Sequence, residues 1–125
     1  MRPFPTSTRL PSVADLVLLL TTDEDLAESV TELLALEGLR VATVAGTQPV
    51  HVVLADLDAW PADWNLRLLR QRFGRVPCLL LSGSPFAGPY TATTLTRGYF
   101  VPKPFSPNRL LAVLRRCISE GSLGC

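Results

Sequence analysis

Long hydrophobic runs are the first thing this chain lacks. No uninterrupted apolar stretch is longer than Leu16 to Leu20, which falls far short of the ~18 residues that suggest a membrane span, and the chain's proline-rich start is unlike a signal peptide. The expectation is a protein of the cytoplasm with no membrane partner. An excess of charge of one sign is lacking too: twelve basic against eleven acidic residues leave a formal charge of +1, and the arginines are dispersed. With no basic stripe, nucleic acid is excluded as a direct partner. Cysteine is sparse. Cys78, Cys117 and Cys125 have neither an even count nor metal-ligand spacing, so they are expected as reduced thiols, with Cys78 in the core. No glycine-rich loop follows the first apolar run and no nucleophile–base pair is visible, which makes a small enzyme or nucleotide binder the weakest functional reading. Lysine is almost missing. Eleven of the twelve basic residues are arginine, and the single Lys103 suggests a place where a compact ammonium is wanted.

What is present is one domain's worth of alternating strands and helices. The 125 residues leave no room for a separate output or catalytic domain. Residues 1–14, with Pro3, Pro5 and Pro11 among Ser and Thr, are expected as a flexible tail, residues 15–119 as the domain, and residues 120–125 as a second tail. A first strand is expected over Asp15 to Leu20. Thr22 or Asp23 can cap the helix that follows, Asp25 and Glu28 suit its positive end, and Leu26, Val30, Leu33 and Leu34 recur on one face up to a stop at Gly38. Arg40 to Val44 reads as a second strand and Val50 to Ala55 as a third, with His51 a strand-start residue. Only Gly46-Thr47-Gln48-Pro49 and their neighbours lie between them, too few for the helix of an ordinary parallel crossover. Ala62 to Phe73 is the next expected helix, onto which Trp60 and Trp64 pack, and Val76 to Leu81 the fourth strand. Tyr90 to Thr96, with four threonines after a Pro- and Gly-rich loop, makes at best a short helix. Gly98 to Val101 is the fifth strand. Ser106 followed by Pro107 then starts a helix whose apolar face is Leu110, Leu111, Leu114 and Ile118.

Three polar residues fall at the carboxyl ends of expected strands: Asp56, Ser82 and Lys103. In a parallel sheet these ends share one edge, where functional groups of such sheets gather. A carboxylate, a hydroxyl and an ammonium brought together there could accept a phosphoryl group on Asp56, hydrogen-bond it through Ser82 and neutralise it through Lys103. With these residues, and with Leu18-Leu19-Leu20, Asp23-Glu24-Asp25-Leu26, Val52-Val53-Leu54-Ala55-Asp56, Leu80-Leu81-Ser82-Gly83 and Tyr99 through Pro107, the chain resembles the receiver domain of bacterial two-component response regulators. The resemblance runs over roughly Asp15 to Ser119. It implies an α/β fold: a flavodoxin-like, doubly wound, five-stranded parallel sheet of order 2-1-3-4-5, here with helix 2 missing and helix 4 short. It also implies Asp56 as phosphoacceptor position, Ser82 as switch hydroxyl, Phe100 as switch aromatic, Lys103 as phosphoryl-contacting lysine, and a cis Lys103-Pro104 bond.

The departures from that pattern point in one direction. Where receivers carry an acidic pair at the end of strand 1 to hold a divalent cation, this chain has Thr21-Thr22. Neutral hydroxyls are poor substitutes for carboxylates around a hard cation. Pro102 stiffens the approach to Lys103, and the loop after Asp56 is one residue longer before Pro61. The expectation is a degenerate (pseudo-)receiver, not an enzyme, without metal or other cofactor, that signals through protein contacts while Lys103 pairs with Asp56. Its partner would be a kinase, a downstream signalling protein or a second copy of the chain. The missing helix 2 further predicts a taut link and an uncovered apolar patch beside strands 1 and 3. The alternative is a working phosphoacceptor that is phosphorylated on Asp56 and uses Mg2+, with Asp23, Glu24 or Asp58 supplying the missing ligands.

Overall fold

The computed structural model describes residues 16–84, 95 and 97–123, the side chains of 120–123 excepted. Five strands form one parallel sheet: β1 (Leu16–Leu20), β2 (Arg40–Ala42), β3 (Val52–Asp56), β4 (Cys78–Ser82) and β5 (Gly98–Pro102), in the order β2-β1-β3-β4-β5. Three helices accompany them among the described residues: α1 (Glu24–Leu36), α2 (Leu66–Phe73) and α3 (Pro107–Leu123). The doubly wound order expected from the sequence is the one observed. No helix lies between β2 and β3. The short helix expected over 90–96, like the tail at 1–14, lies outside the described residues apart from Leu95.

Each central strand is apolar on both sides because each side is covered. Val17, Leu19, Val52, Leu54, Leu79, Leu81 and Val101 point to one face and meet Val30 and Leu34 of α1 and Leu110, Leu114 and Cys117 of α3. Their neighbours Leu18, Leu20, Val53, Ala55, Cys78 and Leu80 point to the other face and meet Leu69 of α2. The period of two in side-chain direction thus splits one sheet into two cores. Burial pushes the thiols of Cys78 and Cys117 up to about 12, so both are inert, protonated core residues.

Local chemistry sets the element ends. Asp23 rather than Thr22 caps α1, its carboxylate accepting from the Leu26 N–H at 3.1 Å. At the other end Gly38 takes a positive φ of 79° while its N–H and that of Leu39 close on Ala35 and Leu34 carbonyls, a turn that favours glycine. α2 starts at Leu66, four residues later than expected, because Asn65 caps it through a 2.9 Å bond from the Leu68 N–H. α3 runs on to Leu123, through residues expected as a tail. Gly121 costs such a helix only about 1 kcal/mol, and no proline stops it.

The link between β2 and β3 corrects two expectations. Both strands are shorter than β-propensity suggests, so the link comprises residues 43–51 and is slack rather than taut: nine residues can span about 30 Å. The chain that would have been strand instead lies over the sheet. Ala45 and Val50 from this link, with Leu57, Trp60 and Trp64 from the segment after β3, pack on the core that contains Leu18, Leu20, Val53 and Ala55. All four of those strand residues are fully buried, so among the described residues strands 1 and 3 themselves offer no uncovered apolar patch, and of the link's large hydrophobic side chains only Val44 is left exposed. Two indoles and a loop do the covering that a second helix would do. Trp64 is held in place by stacking on Phe73 at 5.9 Å and by the Arg72 guanidinium 5.2 Å from its ring centre. No helix among the described residues is long and apolar enough to cross a membrane.

Candidate functional site

The strand register brings the polar residues to one edge. β1 pairs with β3 through Leu20 and Ala55, β3 with β4 through Asp56 and Leu81, and β4 with β5 through Ser82 and Pro102. Thr21, Asp56, Ser82 and Lys103 therefore emerge side by side. The Lys103 N–H donates to the Ser82 carbonyl at 2.9 Å, and the Lys103–Pro104 peptide bond is cis.

Asp56 has no solvent exposure, so its carboxylate depends on the protein for every hydrogen bond. It has three. Oδ1 accepts from Lys103 Nζ at 2.7 Å and from the Asp58 N–H at 3.0 Å, and Oδ2 accepts from Thr21 Oγ1 at 2.7 Å. Thr21 is itself oriented by the Asp23 N–H, which donates to its oxygen at 3.0 Å. A hydroxyl at position 21 supplies Asp56 with a neutral donor where a carboxylate would repel it.

Thr22, its partner in the sequence pattern, is not part of this cluster. Its side chain turns to the Ala59 carbonyl at 3.4 Å, next to the 2.9 Å bond of its N–H to the same oxygen. Phe100, aligned with Leu80 across β4 and β5, is half-buried in the α2-side core and contacts none of the polar groups through a hydrogen bond. Ser82 is almost fully buried at the site's edge, yet its hydroxyl donates to Asp58 Oδ1 at 3.0 Å and not to Asp56.

Asp58 is the residue that the sequence reading underweighted. Its Oδ2 accepts from the Gly83 N–H at 2.8 Å and lies 3.3 Å from Lys103 Nζ. The Gly83 bond is the main cause holding its carboxyl below the usual 3.8; burial opposes it, and Ser82 and Lys103 add to it. For Lys103 burial acts to lower the ammonium's value, but Asp56 and then Asp58 outweigh it and raise the value above 10.5. The signal available in the sequence was a second carboxylate two residues after the first, at the end of the same strand.

These directions fix the expected pH response. Asp58 contributes stability that is present above pH 3.8 and is lost as pH falls through its lower folded value; Lys103 contributes stability that is present below pH 10.5 and is lost as pH rises through its higher one. Urea midpoints should accordingly be flat through neutrality and fall below pH 3.8, and an Asp58→Ala variant should show a shallower acid fall than the parent. Equal acid slopes would mean that Asp58 holds nothing in the folded state.

The carboxylates at this edge are engaged within the chain rather than gathered for a divalent cation. A hard cation of the magnesium class wants carboxylate oxygens with free lone pairs. Here both Asp56 oxygens are engaged, Asp23 caps α1, Asp58 is bound to Ser82 and Gly83, and the two positions at the end of β1 are threonines. Among the described residues no group of three or more His, Cys, Asp or Glu side chains could hold a metal.

No protein-family model matches the chain, and no curated protein matches it by sequence. Solved structures do. A CheY-like response regulator receiver domain from Methanospirillum hungatei JF-1 superposes with a TM-score of 0.76 at 16% identity, over 89% of this chain and 98% of its own. The receiver domain of a sensor histidine kinase from Pseudomonas aeruginosa PAO1, solved with a magnesium ion coordinated in its active-site cleft, gives 0.70 at 21% identity, over 85% and 98% of the two chains. The non-phosphorylated receiver domain of HemR from Leptospira biflexa gives 0.70 at 26% identity, over 84% and 94%.

Proposed function

We propose that this chain, whose fold is that of the response regulator receiver domain, serves signal transduction as a pseudo-receiver: a non-enzymatic, cytoplasmic binding module that acts through protein–protein contacts without a metal-assisted cycle of aspartyl phosphorylation. The observation that carries this reading is the closed state of Asp56. Its two oxygens are bound by a hydroxyl, an ammonium and an amide N–H, all supplied by the chain.

Phosphoryl transfer to a carboxylate needs positive charge to gather the transferring oxygens. Among the described residues Lys103 is the one cation at Asp56, and it is shared between two carboxylates, so the cluster of Asp56, Asp58 and Lys103 sums to −1. A dianionic donor approaching that cluster meets net repulsion. Of the residues that could have supplied cation ligands in a working phosphoacceptor, Asp23 and Asp58 are committed to other bonds, and Glu24 is an exposed residue of the first turn of α1. On this reading Asp56 is a phosphoacceptor position by ancestry, Ser82, Phe100 and Lys103 keep the switch and phosphoryl-contact positions, and signalling depends on a partner such as a kinase, a downstream protein or a second copy of the chain.

Incubation with a small acyl phosphate and Mg2+, followed by intact-mass measurement, should leave the protein unmodified, and beryllofluoride with Mg2+ should leave the amide spectrum around Asp56 unchanged. Robust magnesium-dependent gain of a phosphoryl group on Asp56 overturns the reading.

A further inference from the structure

Three donors of different kinds converge at the rim of the site: the Ser82 hydroxyl, the Gly83 backbone N–H and the Lys103 ammonium. Convergence of a hydroxyl, an amide and a cation is the chemistry of an oxyanion site. Here the oxyanion they hold is a side chain of the same molecule. Asp58 Oδ1 takes the Ser82 hydroxyl at 3.0 Å, and Oδ2 takes the Gly83 N–H at 2.8 Å with Lys103 Nζ at 3.3 Å. We propose that Asp58 is an internal plug: its carboxylate fills an anion site built by Ser82, Gly83 and Lys103, and keeps external phosphate-class oxyanions out.

The donors are fixed independently of the plug. Ser82 is 1% exposed, and its oxygen accepts from the Ser84 N–H at 2.9 Å, which leaves its proton free to point at an anion. The ammonium of Lys103 is anchored by Asp56 at 2.7 Å and its backbone by the Ser82 carbonyl at 2.9 Å. Asp58, by contrast, has 42% of its side chain exposed and sits in the turn after β3, where rotation about its own side-chain bonds carries the carboxylate to water without disturbing the strand. Charge agrees with geometry. With Asp58 the carboxylate–ammonium cluster carries −1; without it Asp56 and Lys103 cancel, and an incoming anion restores the original balance. The depressed Asp58 titration, caused chiefly by the Gly83 N–H, accords with an anion held by its donors. This inference deepens the pseudo-receiver reading and rests on it, since a plugged site is one more reason for a silent Asp56.

The test is a titration with inorganic phosphate in metal-free buffer containing EDTA, followed through the Gly83 amide in 1H–15N spectra. The wild type should show no saturable shift of that amide. Asp58→Ala should show one, with affinity at least about tenfold higher than any wild-type response, the loss of a carboxylate competing for charge-assisted hydrogen bonds. Ser82→Ala introduced into the Asp58→Ala background should then weaken phosphate at least severalfold. Where Asp58→Ala does not fold, Asp58→Ser, short and at home in a turn, carries the same comparison. Equal affinity in variant and wild type overturns the plug, as does saturable binding that is indifferent to Ser82. Those results would leave the pseudo-receiver reading standing, because that reading is decided by magnesium-dependent modification of the wild type; modification there, with the Asp58→Ala result unchanged, would remove the reading and keep the plug.

Discussion

Lys103→Met should lower the stability of this fold by about 3 kcal/mol, measured by urea unfolding at pH 7, the low end of what removal of one partner costs a buried ion pair. The side that suffers is not the lysine. Asp56 is fully buried, and among the described residues Lys103 Nζ supplies the only full positive charge within bonding distance of it; Thr21 and the Asp58 N–H are neutral donors. Methionine keeps the length and apolar stem of the side chain but leaves a fully buried carboxylate without its counter-ion. Lys103 is 23% exposed, so solvent can relieve part of the loss, which is why the low end applies. Asp56→Asn in the Lys103→Met background should return most of the loss, because a neutral amide bears no charge, and its oxygen can still accept from the Asp58 N–H while its NH2 donates to the Thr21 hydroxyl. A double-mutant cycle reads the coupling directly. A single-variant loss below about 1 kcal/mol, or no recovery in the double variant, would mean that the pair is an accident of proximity rather than the anchor of the site.

That pair was legible in the sequence because it depends on strand ends alone. Once Val52 to Asp56 is recognised as a buried strand and Tyr99 to Pro102 as another, a parallel sheet must bring the next polar residues to a common edge. Asp58 was less legible for a physical reason: it lies two residues past the strand, in a turn, where its target is decided by the turn's backbone and by its own side-chain rotamer, neither of which has a period to read. The same holds for the cover of the sheet beside β1 and β3. Val44 and Val50 look like strand residues by type, yet Val44 is exposed and Val50 serves as loop packing, because the absence of a crossover helix leaves a core that the link and two tryptophans fill. Propensity described the residues correctly and their tertiary use differently.

The second large effect concerns the two threonines, which the fold treats unequally. Thr21 touches Asp56 Oδ2 at 2.7 Å, whereas Thr22 faces the Ala59 carbonyl. Thr21→Asp therefore places a second carboxylate against a buried one. In EDTA this should cost about 2 kcal/mol, a fall in melting temperature of roughly 5–10 °C, since one of the two groups must be protonated or both must be strained apart. Thr22→Asp alone, at an exposed position, should change stability by less than about 0.5 kcal/mol. With both substitutions the edge gains the carboxylate oxygens whose lack now disfavours a hard cation, and magnesium should turn from bystander to ligand. At a hundred times its dissociation constant it would return about 2.7 kcal/mol, enough to cancel the loss, so the double variant should melt near the wild-type temperature in magnesium and well below it in EDTA. The wild type should melt alike in both. If the double variant shows no difference between EDTA and magnesium, the neutral residues at 21 and 22 are not what keeps the cation away, and the cause passes to the neighbours that already hold the site closed: Lys103 on Asp56, and Asp58 on Ser82 and Gly83.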